Sequence, residues 1–202
     1  MGITSRSVSL MRYRVRGEFE GSLWDAVDVG VKNGSFRETH SLGDVVAMGW
    51  TSVEDFTDAS FETPSYAVGA YVALGLRIDT VRVPSKILEI HYRQESKKHL
   101  EETGRKRLSS TERRELKERL KETLRLRIFP SVQVFDLLWN TSTKTLYFGT
   151  HSMKARERFE DHFKKSFGLA VIPLIPQLRS EEILTEKSGR RGLEELISCS
   201  MV

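Results

Sequence analysis

Thirteen basic side chains crowd into residues 93–127 of this 202-residue chain: Arg93, Lys97, Lys98, Arg105, Lys106, Arg107, Arg113, Arg114, Lys117, Arg119, Lys121, Arg125 and Arg127. Seven acidic residues share that stretch, so it carries +6. Residues 1–92 carry −3 and residues 128–202 carry +1, which together account for the net +4 of the whole chain. The basicity is local. Arg113, Lys117, Lys121 and Arg125 recur at steps of four and so form one ridge on a helix. Leu116, Leu120 and Leu124 form a second ridge about 60° away, taking ~100° per residue. Such a cationic ridge suits a row of phosphates. The competing account is a solvated helix surface with pairs such as Glu115–Arg119 and Glu122–Arg125. Internal pairing cannot absorb an excess of +6, which favours a polyanionic partner.

The side chains missing from this stretch limit what it can read. Residues 93–127 contain no Phe, Trp or Tyr on which a base could stack. Gln94 is their one amide side chain of the kind that pairs with adenine. Backbone contact remains, and it carries little sequence information. The expectation is weakly specific nucleic-acid binding, with duplex at least as good as single strand, through Arg93, Lys97, Lys98 and the ten basic residues that follow. Two other classes stay open: a protein-interaction or oligomerisation module built on the charged helices, and a metal-dependent exonuclease.

Other residues capable of chemistry are scattered. His40, His91, His99, His151 and His162 show neither HExxH nor H-x-H spacing. His91 and His99 read as exposed positions on one helix, and Asp25/Asp28 and Asp55/Asp58 read as a helix edge and a loop. No phosphate loop or nucleophile elbow is present, and Ser188 to Gly192 read as a polar turn. The expectation is a protein without catalytic residues, cofactor or metal. Cys199 is the single cysteine, so no internal disulfide can form. The first twenty residues lack the apolar run of a signal peptide, and Arg6 stands where a myristoylation pattern wants serine or threonine. No run of about 18 apolar residues occurs. These features predict a soluble intracellular protein with no membrane contact.

Local patterns supply the elements that hold these residues. Residues 7–15 alternate as a strand, and Ser22 caps a helix carrying Leu23, Ala26, Val27 and Val31 that stops at Asn33-Gly34. From 36 to 68 the pattern is poor, with Met48-Gly49-Trp50 in a short apolar patch and an acidic loop after it. Trp50 reads equally as core or as interface. Ala70 to Ile78 reads as a buried strand. Pro84 opens a helix to about Glu102, with Ile87, Leu88 and Ile90 packing at its start and Gly104 stopping it. Ser109 and Glu112 have capping-box spacing for a second helix, which makes 84–128 a helical hairpin. Residues 132–139 and 146–148 form a β-hairpin. Ser152 caps a helix striped by Phe159, Phe163 and Phe167, and Leu169 to Pro173 form a last strand. The order predicts an α+β fold: a mainly antiparallel sheet packed by helices, with a projecting basic helical hairpin. It also predicts one domain over 1–180 and a polar tail over 181–202.

In this order the chain resembles the recombination-associated RdgC family of bacterial DNA-binding proteins. The resemblance runs through Leu10 to Arg14, Met48-Gly49-Trp50, Val83-Pro84-Ser85, and the charged hairpin with Gly104 and Leu116-Lys117-Glu118. It continues through Trp139, Lys154-Ala155 with Phe159, and Pro173-Leu174, covering about residues 7–178. It implies non-specific DNA binding with duplex favoured and a homodimer closing into a positively lined ring. It further implies restraint of a recombinase on DNA by occlusion, a cytoplasmic, nucleoid-associated location, and no catalytic activity. The chain departs from the family in length, since members continue well past the region matching Pro173.

Overall fold

The computed structural model describes residues 8–38, 46–176 and 180. The expected tail at 181–202 lies outside them. The described chain is α+β with a mainly antiparallel sheet, as the element order predicts. The strands are β1 (Met11–Arg16), β2 (Val46–Thr51), β3 (Ala67–Val68), β4 (Tyr71–Thr80), β5 (Ser131–Asn140), β6 (Thr145–Phe148) and β7 (Ala170–Pro173). The helices are α1 (Leu23–Asn33), α2 (Ser85–Thr103), α3 (Ser110–Arg125) and α4 (Met153–Phe167). The sheet order is β2-β4-β5-β6-β1-β7, with β3 on β4. Residues cluster into two compact units: 8–35, 50–76 and 135 onward in the first, and 36–38, 46–49 and 77–134 in the second.

The first unit is built on a period of two meeting a period of 3.6. Tyr13 and Val15 on β1, Leu146 and Phe148 on β6, and Leu137 and Trp139 on β5 are buried. Alternation puts them on one sheet face. Against it lies α4, whose Phe159, Phe163 and Phe167 fall at steps of four on one helical stripe and are all buried. Phe148 stacks on Phe159 at 4.2 Å, Tyr13 meets the same ring edge-on at 5.4 Å, and Trp139 meets Phe163 at 5.5 Å. Ser152 stands at the cap position of α4 without a side-chain capping bond, and its own N–H donates to Thr150 Oγ1. Gly168, at φ +68°, closes the helix in the left-handed conformation that favours glycine. Gly30 on α1 brings the second helix close, because a Cβ there would sit 2.4 Å from the Phe167 ring.

Trp50 is core. Its indole N–H donates to Ser166 Oγ at 2.9 Å and its backbone N–H to Gly34 O at 2.8 Å. Nε2 of His162 lies 3.0 Å from the same Gly34 carbonyl, and the His162 ring lies 4.6 Å from the indole. Burial holds the imidazole below its usual pKa, Lys165 adds to that, and the Gly34 bond partly opposes it. The folded state therefore resists protonation of His162 more than the unfolded chain does. Its contribution to stability is present above the ordinary histidine value and is lost as pH falls below it. Urea midpoints should drop between about pH 7 and pH 5.5, either side of that ordinary value. The drop should be smaller in His162→Gln, and an identical drop in both proteins would exclude His162 as its source.

Candidate nucleic-acid interface

The basic residues are mounted on two helices that start and stop for local reasons. Pro84 sits at the N-cap of α2 in an extended conformation, which frees the following residues to turn. Gly104 ends α2 at φ +65°. Ser109 Oγ accepts from the Glu112 N–H, and Glu112 accepts in return from the Ser109 N–H at 2.7 Å, completing the capping box of α3. Hydrogen bonds to its carboxylate from the Ser109 backbone N–H and hydroxyl, with Arg105 at 3.1 Å and His99 nearby, hold the Glu112 carboxyl below its usual range. Glu112 thus ties the connection between the helices to the first turn of α3. Ser109→Ala should cost about 1 kcal/mol, the ordinary value of an N-cap, read as a lowered urea midpoint. No shift at all would mean that the cap is redundant.

The hairpin is sealed from one side. Leu108, Leu116 and Leu124 are buried and Leu120 is half-buried, as the leucine ridge predicts. The face that α2 turns inward is different from the predicted one. Its half-buried residues are Leu88, His91, Tyr92, Glu95, Ser96 and Leu100. A period of 3.6 gathers these on one side. Ile87 and Ile90 fall off that stripe and stand 39% and 55% exposed, so they do not pack at the helix start. Leu126, Phe129 and Val132, which follow α3, are also exposed, Phe129 at 93%. An antiparallel hairpin brings the start of α2 beside the end of α3, so these five apolar residues belong to one end of it.

Five of the thirteen cations are committed to carboxylates. These are Arg93 with Glu89, Lys97 with Glu101 at 3.8 Å, Lys98 with Glu95 at 3.7 Å, Arg105 with Glu112, and Lys121 with Glu118 at 2.7 Å. The pairs expected at Glu115–Arg119 and Glu122–Arg125 are not the ones that form among the described residues. Two more cations rest on neutral groups. Arg113 Nε donates to Leu108 O at 3.1 Å, and Lys117 sits 5.0 Å above the Tyr92 ring. The side chains of Lys106, Arg107, Arg114, Arg119, Arg125 and Arg127 make no hydrogen bond or salt bridge among the described residues. The ridge at 113, 117, 121 and 125 is therefore partly engaged inside the hairpin. Most of the unengaged charge lies beside it. Tyr92 was outside the aromatic-free stretch, and Lys117 covers it.

Another ion pair of the second unit lies at the end of β4. Arg77 and Asp79 stand two apart on the same strand face and join through two bonds, 2.9 and 2.7 Å long. The Arg77 guanidinium lies 4.3 Å above the Phe36 ring. This arrangement is structural, as are the two carboxylate pairs weighed from the sequence. Asp55 and Asp58 accept from the backbone and hydroxyls of Thr57 and Ser60 in their own loop. Asp28 accepts from Lys32 and from the Tyr66 hydroxyl, which hold it below its usual range. Among the described residues no three His, Cys, Asp or Glu side chains gather as a metal group, and no helix is long and apolar enough to cross a membrane.

One basic feature carries no signal in composition. Arg12, Arg14 and Arg16 project from the β1 face opposite the buried Tyr13 and Val15. The alternation of residues 11–16 is the sequence signal that finds it. The family model described as "RdgC: Putative exonuclease, RdgC" matches residues 9–187. No curated protein matches the chain.

Proposed function

Since this chain belongs to the RdgC family, we propose that it binds DNA in recombination through the phosphate backbone, with the basic hairpin as the contact surface. The observation that carries this reading is the reserve of hairpin cations whose side chains make no hydrogen bond or salt bridge among the described residues, Lys106, Arg107, Arg114, Arg119, Arg125 and Arg127, of which Arg114 and Arg125 only lend charge to Glu118 from a distance. Each can neutralise a phosphate without first breaking a bond in the protein. Lys117 covers Tyr92, and the free cations of the hairpin can meet phosphates without reading bases. Duplex DNA is then the favoured partner, and the effect in the cell is occlusion of DNA from a recombinase at the nucleoid. Catalysis has no part in this reading.

The test is a salt titration with random-sequence duplex DNA. If about 4–8 phosphates are neutralised, log K falls against log salt with a slope of about −4 to −7. A flat curve would overturn the reading. Metal-dependent loss of labelled DNA ends in the same preparation, abolished by one carboxylate substitution, would replace it with an exonuclease.

A homodimer is the second reading, and a specific observation favours it. Ile87, Ile90, Leu126, Phe129 and Val132 expose apolar area at one end of the hairpin, where a lone chain gains nothing from it. Light scattering should give twice the chain mass, and Phe129→Glu should return it to one. A monomer throughout the concentration range, with and without duplex, would exclude the dimer.

A further inference from the structure

The sheet face that α4 does not cover carries a row of cations that the hairpin reading leaves unused. Arg12, Arg14 and Arg16 share one side of β1, spaced about 6.6–6.8 Å apart along the strand. The register places Arg12 opposite Tyr147, Arg14 opposite Thr145 on one side and Ile172 on the other, and Arg16 opposite Ala170. Directly opposed residues bring their Cβ atoms to about 4.5–5.5 Å, so the Tyr147 side chain stands beside that of Arg12. Arg12 and Arg16 are exposed and make no hydrogen bond or salt bridge among the described residues. Arg14 is steadied by its bond to Thr143 O at 3.0 Å. Tyr147 is half-buried and has no ring partner among the described residues. Two acidic groups are near. Asp136 lies on this face of β5, at the end away from Arg16, and Glu18 is taken up by Lys144 at 3.0 Å.

We propose that this face binds single-stranded DNA, with phosphates along the arginine row and a base stacked on Tyr147. A cationic row along one strand calls for an extended polyanion. The tyrosine beside it selects the form, because a single strand offers free base faces and a duplex has already stacked its own. The choice of DNA rests on the function proposed above, whereas the site itself does not depend on the hairpin.

Fluorescence anisotropy on the full chain tests it, with labelled oligo(dT) of about 16 nucleotides and a random duplex measured in parallel. Tyr147→Leu should weaken oligo(dT) binding roughly 5- to 150-fold, the range for one lost base stack, and Arg12→Glu/Arg16→Glu should weaken it through lost phosphate contacts and lower the salt slope by about 1–2. Duplex affinity should stay within about twofold, the scatter of energetically near-neutral contacts. Tyr147→Phe keeps the ring and should bind as the parent does. Arg12→Gln/Arg16→Gln serves if charge reversal unfolds the sheet. Reversing Arg107, Arg114 and Arg119 should give the opposite pattern, so failure of the hairpin reading is distinguishable from failure of this one. Unchanged oligo(dT) binding in the sheet variants, or equal losses for both DNA forms, would overturn the site. Equal affinity of the parent for oligo(rU) would overturn its assignment to DNA.

Discussion

The variant Arg107→Glu/Arg114→Glu/Arg119→Glu binds random duplex DNA about 100- to 1000-fold more weakly than the parent chain at low salt. Each position exchanges an attraction to phosphate for a repulsion, and each lost contact takes about 0.9 from the slope of log K against log salt. The slope should shrink by about 2–3, and by the same amount on any sequence, because backbone contacts position a protein without reading bases. These three residues suit the test because none of their side chains makes a hydrogen bond or ion pair among the described residues. Their substitution therefore breaks no side-chain bond in the fold that the assay would confuse with lost binding. Reversing Arg113, Lys117 and Lys121 is the less clean experiment. It would also remove the Arg113 bond to Leu108, the Lys117 contact with Tyr92 and the Lys121–Glu118 pair. An unchanged slope in the first variant would mean that phosphates lie elsewhere, and a loss confined to one sequence would mean that bases are read after all.

Phe159→Ala should cost about 3–5 kcal/mol of unfolding free energy, the usual range for removing a buried phenylalanine ring. Phe159 is fully buried, stacks on Phe148 at 4.2 Å, and contacts the rings of Tyr13, Trp50 and Phe163. Removing it opens a cavity at the point where β1, β6 and α4 meet, and the neighbours cannot all close on it together. Phe159→Leu keeps most of the volume and should cost clearly less. Urea unfolding monitored by circular dichroism measures both, and equal costs for the two would show that the site collapses freely. The Tyr13 hydroxyl, which donates to Glu160 at 3.0 Å, sits beside this ring and is held protonated by burial and by that carboxylate.

Elements with a strong local period were legible from the residues alone. The capping box at Ser109 and Glu112 and the phenylalanine stripe of α4 are set by interactions within a few residues. The strand alternation of β1 is of the same kind. What escaped was set by distant partners. Strand β2 is short and sits in a poor pattern, yet it pairs in the sheet because Trp50 finds Ser166 and Gly34 across more than a hundred residues in one case and sixteen in the other. The same reach decides that Trp50 is core. The placement of Ile87 and Ile90 escaped for another reason. Their hydrophobicity predicts burial, but the seam of a helical hairpin is chosen by the angle at which α3 lies, and that angle selects Leu88, His91 and Tyr92.

For the candidate interface the division is similar. The sequence by itself determined that a +6 excess lies in residues 93–127, that those residues are helical, and that they carry no aromatic, since charge, period and composition are additive along the chain. Which cations are occupied was decided at two levels. Four pair with carboxylates one turn away on their own helix and Arg105 closes on Glu112 seven residues on, whereas Lys117 rests on a tyrosine from the other helix, a contact that depends on two helices meeting. The arginine row of β1 divides the same way: alternation puts three cations on one face, and the antiparallel register with β6 alone brings Tyr147 beside them. A ridge or a row is a property of one element. A site requires a second element, and hydrogen bonding between strands or packing between helices supplies it.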